Sequence, residues 1–171
     1  MSDYTNSLRR LRREPIVEPD RWPDNLDGGR RLLDEVLPHA GPMLLVDELA
    51  GWDADDELLV AHRHIEDDHI GLEGHFPDDP VLPGTLMLEM LGQAGTALFA
   101  LLLEEHNPDQ QFDVRATKVH GAHFVCEARP GDRIDLVVRA REWDTFLGEC
   151  DAQAIVDGQV VAAMIGELAV L

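Results

Sequence analysis

The stretch "GHFPDDPVLPGTLMLEMLGQ" (residues 74–93) sets a histidine in a loop of glycines and prolines, then runs into an apolar segment with one carboxylate. His75 is the residue type that takes up a proton near neutral pH. On a helix, Glu89, Gln93 and Thr96 fall at i, i+4 and i+7 and form one narrow polar stripe on an apolar rod. A carboxyl buried in such surroundings keeps its proton toward neutrality and becomes a donor. Taken without the histidine, Glu89 reads equally well as a side chain that hydrogen-bonds backbone or reaches water. The intervening "PDDPVLPG" is stiffened by its prolines, and Gly84 allows close backbone approach where the helix begins. Free N–H groups and the helix dipole at that end polarise an oxygen gaining negative charge. Base, acid and oxyanion donor in one segment are the means to remove a proton beside a carbonyl and expel a hydroxyl.

The elements that must hold these groups follow from pattern. Residues 1–27 are polar, with four arginines between Arg9 and Arg13 and prolines at 15, 19 and 23, which predicts a flexible, extended N-terminal arm. "DGGRRLLDEVLPH" predicts a short helix stopped by Pro38. Residues 43–52 and 57–65 read as strands joined by a turn. After the Gly/Pro loop, residues 85–103 read as a long helix. Four strand-like runs follow, broken at Pro130-Gly131 and at Asp157-Gly158, the latter a strong hairpin signal. A helix that apolar needs cover on most sides, so the expected class is α+β: an antiparallel sheet wrapped around one central helix, in a single domain over 28–171. A transmembrane span is the rival for 85–103. Glu89, Gln93, the Pro83-Gly84 start and the amphipathic strands downstream argue against it.

Composition narrows the partners. The chain has 171 residues and a net charge of −20, with Lys118 its only lysine, so nucleic acid and anionic membranes would repel it. Cys126 and Cys150 do not make a disulfide framework. No apolar run follows the N-terminal basic residues, and a cytoplasmic location is expected. His62 and His64 share a strand face near Glu66 and His69, an arrangement that in some barrels binds metal. Here they read as exposed strand histidines, and neither metal nor cofactor is expected. His120 and His123 acquire no role.

"LPHAGPMLLVDEL" followed by "GHFPDDPVLPGTLMLEMLGQ", with the later "RPGDRIDL" and "VDGQVVA", resembles the beta-hydroxyacyl-acyl carrier protein dehydratases, which have the hot-dog fold. The likeness runs over residues 35–171. It implies His75 as base with its ring held by the carbonyl of Val81, and the thioester oxygen on the Gly84 N–H. It implies Glu89 as acid with Gln93 as its hydrogen-bond partner. It also implies a homodimer in which His75 and Glu89 of different subunits meet. A Glu at position 89 is similar to the branch that dehydrates without isomerising. The substrate implied is a 3-hydroxyacyl thioester on acyl carrier protein or CoA. The family's usual Arg-Tyr pair after "LPH" is Ala40-Gly41 here, and "HGAHFVCEA" lacks the usual basic residues. Arg9–Arg13 reads as a solvated tail rather than a docking patch. Two alternatives stand beside this one: a hot-dog thioesterase, in which the helix carboxylate activates water, and a non-catalytic acyl-binding subunit.

Overall fold

In the computed structural model, which describes residues 3–26, 29–108 and 113–170, the long helix α3 spans Gly84–His106. Its interior is built from strong helix formers, chiefly Leu, Met and Ala, with no proline after Pro83. Thirteen of its residues are buried, and they lie on all sides of the rod. The helix is long and apolar enough to cross a bilayer, yet 72% of its most apolar window is buried inside the protein.

The cover is a six-stranded antiparallel sheet. Its strands are β1 (Glu48–Asp53), β2 (Leu58–His64), β3 (Val114–Phe124), β4 (Arg133–Trp143), β5 (Leu147–Val156) and β6 (Gln159–Val170). Their spatial order is β1-β2-β4-β5-β6-β3. Period-two alternation turns Cys150, Ala152 and Ala154 toward α3 and Asp151 and Gln153 the other way. The inward residues are small because the helix presents Leu, Met and Phe. A Cβ on Gly148 would stand 2.5 Å from the Phe99 ring, and one on Gly95 would stand 3.2 Å from Cys150 Sγ. Asp157 and Gly158 both have positive φ, 49° and 77°, as a two-residue β5–β6 hairpin with matching twist requires.

Two expectations differ from the structure. The segment 43–52 does not run as one strand: Gly41–Met43 forms a 3-10 turn and β1 begins only at Glu48. The reason is that the buried Leu45 gives its N–H to a helix side chain, Gln93, rather than to a neighbouring strand. At the N-terminus, residues Asp3–Leu11 form helix α1 rather than an extended arm. Tyr4, Leu8 and Leu11 recur at helical spacing within the polar composition, and Leu8 and Leu11 bury against Ala163 and Ile165 on the outer sheet face. Gln153, fully buried on that face, donates to the carbonyls of Leu11 and Glu14 and accepts from Ile16 N–H at 2.6 Å. The expected boundary at 27/28 lies outside the described residues. A second short helix, α2, covers Gly29–Val36 as expected, with Leu33 in the core.

Candidate active site

The loop carrying His75 is shaped by Gly71 and Gly74, with φ of 85° and 84°, values that favour glycine. The His75 N–H bonds to Leu72 O at 3.0 Å, and Val81 N–H bonds back to His75 O at 3.1 Å. The ring is fixed in turn, since Nδ1 lies 2.9 Å from Val81 O. A carbonyl only accepts, so Nδ1 carries the hydrogen and Nε2 is left with its lone pair free as a base. Leu82 N–H to Ala128 O ties the loop to the segment before β4, and Arg129 clasps Asp79 at 2.5 Å. The Arg129 guanidinium holds the Asp79 carboxyl below the usual carboxylate range.

Gly84 opens α3 directly after Pro83, and no side chain caps this end, so the first-turn N–H groups remain available to an incoming oxygen. A Cβ at Gly84 would lie 2.8 Å from the Phe124 ring, so close packing alone already requires glycine here.

Five residues on, the Glu89 side chain is 38% exposed in the single chain, not buried as the apolar segment suggests. Gln93 orients it: Nε2 donates to Glu89 Oε1 at 2.9 Å and to Met43 O at 2.7 Å, while its oxygen accepts Leu45 N–H at 2.8 Å. Thr96 turns back to Gly92 O and does not join the site. His39, to which the sequence reading gives no role, reaches within 3.5 Å of Glu89 Oε1. The signal available was its place in "LPH", where α2 hands the chain to the 3-10 turn.

Glu89 opens onto a cleft of about 180 Å³ lined with Leu88, Lys118, Met164 and Leu168, and onto a second of about 150 Å³ beside His39 and Gln93. Each is below the ~300–1,000 Å³ of ordinary ligand pockets. His75 lines neither. One chain therefore joins His75 to Val81, and Glu89 to Gln93, but does not bring the two pairs together. The other histidines considered do not converge either: His62 Nδ1 sits 2.9 Å from Asp135, and His69 Nδ1 faces Ile70 O at 2.8 Å. Burial lowers the His69 pKa.

A six-stranded antiparallel sheet curled around one long helix is the hot-dog fold, a class that holds both dehydratases and thioesterases among solved structures. This chain superposes on the dehydratase heterocomplex ApeI:P of Xenorhabdus doucetiae with a TM-score of 0.67 at 18% identity, over 80% of this chain and 89% of that one. A mutant thioesterase of Pseudomonas aeruginosa matches with a TM-score of 0.64 at 19% identity, over 88% and 97%. The particular family is set by sequence: the FabA-like domain matches residues 37–165, and the chain belongs to that family. Its relatives include the 3-hydroxyacyl-[acyl-carrier-protein] dehydratases FabZ of Anaeromyxobacter dehalogenans, 37% identical over 76% of this chain and 82% of the relative. That of Chlamydia abortus is 35% identical over 81% and 87%.

Proposed function

We propose that the chain is a cytoplasmic, homodimeric 3-hydroxyacyl-thioester dehydratase of fatty acid synthesis, acting on substrate carried by acyl carrier protein. The observation that carries this is the paired geometry of His75, locked through Nδ1 with Nε2 free, and Glu89, held by Gln93. His75 Nε2 takes the C2 proton, and the C2–H electron pair becomes the C2–C3 double bond. The C3–O bond breaks, and the hydroxyl leaves as water with a proton from Glu89. The Gly84 N–H carries the charge that builds on the thioester oxygen. Proton return from His75 to Glu89 through solvent resets the pair.

The dimer is supported by the free edge of β3 and by the exposed Val119, Phe124 and Val125 on and beside it. A second copy along that edge deepens the shallow cleft at Glu89 and supplies the other subunit's histidine. The thioesterase reading leaves a tethered His75 with nothing to do.

The test is an assay of purified protein on a 3-hydroxyacyl thioester, following enoyl formation and free thiol together. Alkene without thiol is expected, with His75→Ala and Glu89→Gln each lowering turnover by roughly 10²–10⁴-fold. Thiol release as the main product overturns the reading. Carrier docking has its own signature. With the chain at −20, and with Arg129 paired to Asp79 and Glu127 and Arg133 paired to Asp135, kcat/KM for a carrier-bound substrate should rise with added salt. A small uncharged thioester should respond much less, and the fastest carrier turnover at lowest salt would refute this account of docking.

A further inference from the structure

On the sheet face opposite α3, three side chains converge that the reaction does not use. Strand β3 breaks register with β6 twice, between Ala116 and Lys118 and between Val119 and Gly121. Such bulges re-aim a side chain, and the residues skipped are Thr117 and His120. The first bonds Glu167 Oε1 at 2.8 Å, and the second lies between Glu149 and Glu167. Those two glutamates are direct cross-strand partners on β5 and β6. Like charges directly opposite are destabilising unless a cation lies between them.

We propose that His120, Glu149 and Glu167 bind one divalent transition-metal ion of the zinc class. The His120 side chain is 7% exposed, and its Nε2 is buried without a hydrogen bond. It stands 3.4 Å from Glu149 Oε1 and 3.3 Å from Glu167 Oε2, and the three ligand atoms lie within 4.8 Å of one another. A hydrogen-bonded imidazolium would draw one oxygen to about 2.8 Å. Ligands of one tetrahedral zinc, with bonds of about 2.0–2.2 Å, stand about 3.3–3.5 Å apart.

Both carboxylates are oriented from behind, as metal ligands commonly are. Tyr4 of α1 donates to Glu149 Oε1 at 2.8 Å and stacks on the His120 ring at 4.2 Å, and Thr117 holds Glu167. The nearest competing cation, Arg141, is 4.0 Å from Glu149 Oε2 but spends its closest bond, 2.7 Å, on Asp151. Lys118 is exposed. A neutral imidazole and two carboxylates balance a divalent charge, and water completes the fourth position. The ion would clasp three strands beneath α1.

The experiment uses the full chain with Cys126→Ser to remove the exposed thiol, stripped by chelator and titrated with zinc chloride by calorimetry at pH 7.5. One zinc per chain is expected, with His120→Asn and Glu167→Gln each weakening binding at least tenfold while circular dichroism is unchanged. His75→Ala should bind zinc as well as its parent, which keeps this result separate from the dehydratase reading. Should a ligand variant fail to fold, zinc-edge X-ray absorption on the loaded parent decides, showing one imidazole with oxygen ligands and no sulfur. No stoichiometric binding, binding indifferent to both substitutions, or a zinc shell with other ligands overturns the proposal. So does stabilisation by acid in place of zinc, which would make the cluster an ion pair around a protonated His120.

Discussion

Replacing Gln93 by Met keeps the volume of a side chain that is 1% exposed but removes its three hydrogen bonds. The Leu45 N–H is left buried without an acceptor, which costs about 1–3 kcal/mol. The partly buried Met43 carbonyl adds about 0.5–1.5 kcal/mol. The bond to the half-exposed Glu89 adds little, because water replaces it. The sum is about 2–4 kcal/mol, or a fall in Tm of roughly 4–16 °C for a domain of this size. Urea unfolding at fixed protein concentration measures it, since a dimer's stability depends on concentration. Glu89→Gln, which keeps the hydrogen bond, should change stability by less than ~0.5 kcal/mol. Turnover of the Met variant should also fall, because Glu89 loses its orienting partner. A stability loss under ~0.5 kcal/mol for Gln93→Met would show that Leu45 N–H finds another acceptor, and the account of Gln93 as the post between loop and helix would fail.

Cys150 is buried, and burial pushes its thiol up to about 12, whereas Cys126 is exposed. A thiol reagent at pH 8 should label one cysteine per native chain and two in denaturant; two in the native state would contradict the packing under Gly95. Because His69 is lowered by burial, its neutral form stabilises the fold fully above about pH 6.5, and that contribution is lost as pH falls through its native pKa. His69→Gln should flatten the acid limb of a stability–pH curve, and an unchanged limb would refute the assignment. Leu11→Ala should cost about 2–4 kcal/mol, since Leu11 is 1% exposed; a loss below ~0.5 kcal/mol would mean α1 is not docked in solution.

What the sequence disclosed was local. Helix α3, the Asp157-Gly158 hairpin and the strand runs rest on periodicity and turn chemistry within a few residues. The roles of His75 and Glu89 were approachable because a loop histidine and a helix carboxylate share one segment. The failures have a common physical cause. Helix α1 owes its place to Gln153, more than a hundred residues away, and residues 44–47 owe theirs to Gln93. His39 comes near Glu89 only when the turn at Gly41–Met43 folds it there. His120 was unreadable because a bulge shifts the alternation that assigns faces, and no pattern in β3 marks where the shift occurs.

The order of the elements has a further consequence, for how the chain is made. Helix α3 is finished at His106, but the strands that enclose it, β4 to β6, lie after it and end at Val170. At ribosomal rates of 5–20 residues/s, a wholly apolar rod waits roughly 3–13 s for its covering. β4, β5 and β6 are consecutive and joined by short turns, so they can assemble as a meander once synthesised and close over the waiting helix. β2 and β3 then add from earlier in the chain. Until that closure the nascent protein presents the kind of segment that chaperones hold and membranes attract, and its yield in a cell depends on this interval more than on the stability of the finished fold.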